Sequence, residues 1–272
     1  MSFKAGDERP EMTKAVQKKR IQAQAAPHQT AGETLFADEQ GEIYRRVINE
    51  ARAQELNFAL GGGFAINAYT GLQRGAKDLD MYVLPSARRR LVDILSRVGM
   101  KDYYEQSPYD RNWIYRGYAG AAIVDVIWAM ANQVAEVDEA WLTRGDEMEV
   151  DGKQLRLLPP EELLWTKIYV IQRDRCDWPD LLNLLYSRGE TMNWEHLLKR
   201  LGKDTALLTS VLTLFVWLCP GRARTFPDWL WKRLKLISPP SSVWSPEINH
   251  HHVGLIDSRP WFVPALATGL AQ

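Results

Sequence analysis

Apolar residues follow two rhythms along this chain, and the change falls near Pro159-Pro160. Leu35, Tyr44, Val47, Ile48 and Ala51 recur at roughly helical spacing, which predicts an amphipathic helix over 38–55. Residues 57–60 form a short apolar run that ends in Gly61-Gly62-Gly63, a strand entering a tight turn. A helix over 64–70 follows, closed by Gly71. Next come a strand at 79–84, stopped by Pro85-Ser86, and a helix over 87–98. Residues 103–106 and 113–118 read as antiparallel strands, and 121–128, rich in Val and Ile, as another. Asp151-Gly152 centres a hairpin turn within 149–154. After Pro160 the spacing becomes helical, predicting helices over 161–173, 179–187, 194–201 and 205–218. From Pro220 the chain is rich in Pro and Trp and reads as irregular around one short helix near 228–236.

This order of elements predicts an α+β fold: a mixed, mostly antiparallel sheet with flanking helices and a helical C-terminal region. Three segments follow from it, a flexible leader over 1–32, a sheet-bearing domain over 33–155 and a helical region over 156–272. A length of 272 residues accommodates one large or two modest domains. The 34 basic and 34 acidic side chains cancel, so charge supplies no general case for nucleic-acid binding. Cys176 and Cys219 have no motif spacing, which excludes a disulfide framework or a zinc ribbon and fits a reducing compartment. The polar opening MSFKAGDERPEMTKAV lacks the apolar stretch of a signal peptide. Ala206 to Cys219, the longest apolar run, is interrupted by Thr and Ser and is shorter than the ~20 residues of a membrane span. A cytoplasmic protein without a membrane partner is the expectation.

The chemistry concentrates between Gly62 and Asp125. Asp78 and Asp80 stand two apart on a predicted strand, so both carboxylates project from one face. Adjacent carboxylates repel, and a divalent cation neutralises them well. Asp125 lies in Ile123-Val124-Asp125-Val126-Ile127, where an acid is costly without a cation or hydrogen-bond partner. Three acids on neighbouring strands can hold two metals and activate an attacking hydroxyl. The Gly62-Gly63 turn, opening a helix, offers backbone amides and a positive dipole end to a phosphate. Taken singly, each feature also has a plain structural reading: a solvated Asp pair, a simple turn, a buried salt bridge. Their joint occurrence in this order favours the functional reading.

This pattern resembles nucleotidyltransferases of the DNA polymerase beta superfamily, with Gly62, Gly63, Asp78, Asp80 and Asp125 at the matching positions. The fuller string, with Gly71, Arg74 and Lys77-Asp78-Leu79-Asp80, is similar to the bacterial branch of abortive-infection toxin and drug-modifying nucleotidyltransferases. Lys167 and Arg175-Cys176-Asp177-Trp178-Pro179-Asp180-Leu181 resemble that branch's later lysine and Asp-bearing segment, so the likeness spans about residues 57–185. It implies that 33–155 is a catalytic domain and that Asp78, Asp80 and Asp125 hold magnesium, two ions with NTP bound. Gly62, Gly63, Arg74, Lys77 and Lys167 would bind the nucleotide. The implied activity is transfer of a nucleoside monophosphate from NTP to an acceptor hydroxyl on a small molecule, RNA or protein. A toxin–antitoxin or regulatory binding protein retaining the fold is the alternative. One departure is the all-glycine turn, which lacks the serine many members carry and leaves only backbone for the phosphate.

Other features carry less. The glycines are no P-loop, because no Gly-Lys-Ser/Thr follows. Three consecutive histidines, His250 to His252, cannot all face one ion in regular structure. Cys176 has no paired base to activate it. Trp229 and Trp231, interleaved with Lys232, Arg233 and Lys235, could form a stacking surface for single-stranded RNA, but their spacing favours helix packing with the charges in water.

Overall fold

The computed structural model describes residues 39–72, 77–150, 152–239, 246–257 and 261–262. The expected leader therefore lies outside the described residues, as does Arg74. Helix α1 (Glu39–Ala53) starts with Glu39 and Glu42, which suit a helix N-terminus, and buries Tyr44, Val47, Ile48 and Ala51 on one face. Strand β1 (Ala59–Leu60) leads into α2 (Gly62–Thr70), closed by Gly71 in the left-handed region at φ 70°. Strand β2 (Leu79–Tyr82) and α3 (Arg88–Arg97) follow, then β3 (Lys101–Asp102), β4 (Ile114–Ala119) and β5 (Ala122–Ile127).

These strands form one five-stranded sheet in the order β1-β2-β5-β4-β3. Only the β2–β5 pairing is parallel; the other three are antiparallel. Alternation divides the residues between two faces. Leu79, Met81, Val124 and Val126 are fully buried with the apolar stripe of α1 and with Leu91, Ile94 and Leu95 of α3. Gly117 permits close approach on that side, since a Cβ there would meet Leu95 Cδ2 at 2.7 Å. Asp80, Asp125 and Arg116 belong to the alternate positions and share the opposite face.

After β5 come α4 (Glu139–Thr143) and the hairpin β6 (Glu147–Val150) and β7 (Lys153–Arg156). A parallel bridge between Leu60 and Leu157 ties the end of β7 to β1. The chain then becomes helical: α5 (Pro160–Ile168), α6 (Trp178–Arg188), α7 (Trp194–Leu201), α8 (Thr205–Leu218), α9 (Pro220–Ala223), α10 (Asp228–Arg233) and α11 (His250–Ile256). Helices α5 and α6 pack on α2, the helix that the glycine turn opens. The apolar stretch from Trp194 to Leu218 spans 25 residues, but a 3₁₀ turn at Gly202–Asp204 splits it into helices of 8 and 14.

Three expectations need correction. Residues 103–106 are not a strand: Tyr103–Glu105 is a 3₁₀ turn, and the edge strand is Lys101–Asp102. Asp102 accepts a hydrogen bond from the Tyr104 amide and binds Arg111, which turns the chain off the sheet. The helix expected over 161–173 ends at Ile168, because the next residues double back with Gln172 N–H donating to Arg175 O and Asp177 N–H to Val170 O. The C-terminal part carries more helix than expected. Pro220 opens α9, and Asn249 caps a helix that begins at the three histidines.

Candidate active site

Strand register creates the site. Asp80 pairs with Asp125 across the parallel β2–β5 ladder, and Asp125 pairs with Arg116 across β4–β5. Three charged residues thus lie in one row on three neighbouring strands, about 4.8 Å apart from strand to strand. Asp78, just before β2, joins from the same face. Oxygens of Asp78, Asp80 and Asp125 all lie within 4.8 Å of one another.

Charge in this row is strongly perturbed. Burial raises the Asp80 carboxyl well above its ordinary range, the charges of Asp78 and Asp125 push it further, and Lys167 and Arg116 pull it back. Asp125, 2% exposed, is raised mainly by burial against the opposing hydrogen bonds of Arg116. Arg116 Nε donates to Asp125 Oδ1 at 2.7 Å and Nη2 to Oδ2 at 2.5 Å, and Nη2 also lies 3.6 Å from Asp78 Oδ2. This fork raises the Arg116 pKa further above its ordinary value.

The glycine turn is built against Asp80. Gly61 N–H donates to Asp80 O at 2.9 Å. Gly62 has φ +52°, and a Cβ on it would sit 1.5 Å from Asp80 Oδ2. Only glycine fits both the backbone angle and the space. Because α2 begins at Gly62 with no side chain capping it, first-turn amides of Gly62 and Gly63 are available on the side of the acids.

Lys77 and Lys167, the expected phosphate ligands, sit in different surroundings. Lys77 is exposed beside Asp78. Lys167, on the last turn of α5, lies 2.7 Å from Asp177 Oδ2 and 2.9 Å from Asp180 Oδ2. Arg175 braces Asp177 through two further hydrogen bonds. Lys167 still influences Asp80 electrostatically, so the Lys167–Asp177–Asp180 cluster borders the acid row.

Arg116 was missed by sequence reasoning. Its signal was indirect: an acid within Ile-Val-Asp-Val-Ile needs a partner, and a cation on the adjoining strand supplies it, but the β4–β5 register is required to name it. The donor set of three carboxylates, with Asp125 enclosed and Asp80 crowded by the other two, fits a hard divalent cation. Such a cation would relieve the repulsion that raises Asp80.

Among solved structures, the chain is similar to the antibiotic-resistance factor ANT(2'')-Ia, at 21% identity and TM-score 0.44 over 62% of this chain and 94% of that one. The lincosamide antibiotic adenylyltransferase LnuA matches at 15% identity and TM-score 0.40, over 53% of this chain and 94% of that one. JHP933 from Helicobacter pylori matches at 16% identity and TM-score 0.38, over 65% and 78%. A comparison with curated proteins finds no match. The profile of a family described as "uncharacterised nucleotidyltransferase" matches residues 33–219, a span holding the glycine turn, all three acids and Lys167. The chain belongs to this nucleotidyltransferase family.

Proposed function

We propose that the protein is a magnesium-dependent nucleotidyltransferase, moving a nucleoside monophosphate from an NTP to an acceptor hydroxyl. The observation that carries this reading is the convergence of Asp78, Asp80 and Asp125 within 4.8 Å beside an open helix N-terminus. In the balanced reaction the acceptor oxygen bonds to the α-phosphorus. The bond from that phosphorus to the bridging oxygen breaks, and pyrophosphate leaves.

Asp78, Asp80 and Asp125 would hold the metal, which when bound offsets charge on the phosphates and lowers the pKa of the attacking hydroxyl. The chain's own groups do the remaining work. Gly62 and Gly63 present amides to the triphosphate, and exposed Lys77 offsets its charge. Asp125 takes the acceptor's proton: Arg116 occupies only one lone pair on each of its oxygens, which leaves the other free to accept. Lys167 adds positive charge near Asp80.

The test incubates the protein with each α-labelled NTP, Mg²⁺ and fractions of a cell extract. Pyrophosphate release with label appearing in one fraction is expected. Absence of both with every NTP, from protein that binds Mg²⁺, refutes the transferase reading and leaves a binding protein.

A further inference from the structure

Arg116 is more than the counter-ion of a buried acid. Its Nη2 reaches Asp125 at 2.5 Å and Asp78 at 3.6 Å, spanning two of the three carboxylates proposed to hold metal. Its backbone is held as well, because Arg116 N–H donates to Tyr109 Oη at 3.0 Å and that hydroxyl donates to Asp102. Its side chain nevertheless remains 32% exposed, whereas Asp125 is 2% exposed. The guanidinium therefore bridges the buried Asp125 and the partly exposed Asp78.

We propose that Arg116 is a positioning residue, a resident counter-cation that holds the acid row before a divalent ion arrives and limits how tightly that ion binds. This rests on the metal-dependent reading above. Two cations drawn to the same carboxylates compete. While Arg116 neutralises Asp125 and part of Asp78, an entering ion gains less than it would at three uncompensated acids, and it meets repulsion from the guanidinium. Nucleotide phosphates bring negative charge of their own and relieve that repulsion. The site is thus biased to take metal firmly only together with NTP. Removing the guanidinium leaves the enclosed Asp125 uncompensated, so a divalent ion becomes its best available partner. Lysine keeps the charge but cannot reproduce the two-pronged contact.

The experiment uses the full chain without nucleotide, near pH 8, titrated with Mn²⁺ and read by thermal melting and by the free-Mn²⁺ electron-spin signal. Wild type, R116Q, R116K and D80N are compared. Wild type is expected to bind Mn²⁺ and D80N to lose most of that binding. R116Q should melt lower without metal, gain more on adding it, and half-saturate at about tenfold less Mn²⁺. R116K should also melt lower without metal, yet half-saturate within about threefold of wild type, because charge sets the affinity. If R116Q folds only when Mn²⁺ is present, the same linkage is demonstrated. A uniform fall in melting temperature with unchanged half-saturation makes Arg116 merely structural and overturns the proposal, as does an R116Q chain unfolded with and without Mn²⁺. Failure of wild type to bind Mn²⁺, or binding that D80N retains, refutes the metal-site reading and this proposal with it.

Discussion

Replacing Asp80 with Asn keeps the side chain's shape and removes one charge from a half-buried acid row. Two carboxylates no more than 4.8 Å apart repel by at least about 3–4 kcal/mol at an effective dielectric of 20, and Asp80 has two such neighbours. Lys167 and Arg116 attract it in return, but each less strongly than Asp78 and Asp125 repel it, and burial is the largest single cause of the upward shift. The sign follows from the raised pKa. A carboxyl that titrates higher in the fold than in the unfolded chain costs stability as pH rises through that interval, starting near its ordinary ~3.9. Below it both states are protonated and nothing is lost. Each pH unit by which folding displaces this titration upward corresponds to about 1.4 kcal/mol, or roughly 3–6 °C in Tm for a chain of this size. Metal-free Asp80→Asn should therefore melt with wild type at acid pH and increasingly above it toward pH 8. Added Mg²⁺ should stabilise wild type and not the variant. Transfer activity should fall by ~10³-fold or more, since phosphoryl transfer depends on positioning and charge neutralisation. Melting curves from pH 4 to pH 9, with and without Mg²⁺, test this beside labelled-nucleotide turnover. A variant that melts well below wild type at pH 8, or that keeps full activity, makes Asp80 a structural residue and refutes the reasoning.

Gly62→Ala puts a Cβ at a position 1.5 Å from Asp80 Oδ2 and a side chain at φ +52°, so activity should fall at least ~10²-fold and stability by about 1–3 kcal/mol. Gly152→Ala, at φ +71° with open space around it, should cost only about 1 kcal/mol and leave turnover intact, which urea melts and initial rates will distinguish. Lys167→Ala removes the cation between Asp177 and Asp180, both little exposed, and should cost about 2–4 kcal/mol in urea unfolding and weaken NTP binding. Unchanged stability there would mean that Asp177 and Asp180 do not need Lys167 in the fold.

Sequence alone determined the local parts. Helical spacing at Tyr44, Val47, Ile48 and Ala51 was enough for α1, because a half-buried helix must show its apolar face in its own periodicity, and a Val- and Ile-rich run was enough for β5. Asp78 and Asp80 on one face, and glycine before a helix, were legible for the same reason: each is a relation between residues a few positions apart. Tertiary structure decided the rest. The 103–106 segment has strand-like composition, but Asp102 turns it through contacts with Tyr104, Tyr109 and Arg111. The end of α5 depends on a returning loop, in which Asp177 anchors to Lys167. Above all, the row Asp80–Asp125–Arg116 joins residues from three strands through ladder register. Register follows from how two faces of a whole sheet are buried at once, since a slip of one residue would send Asp125 into the apolar layer beneath α1 and α3. That long-range burial, absent from any local window of sequence, aligns the acids and sets Arg116 beside them.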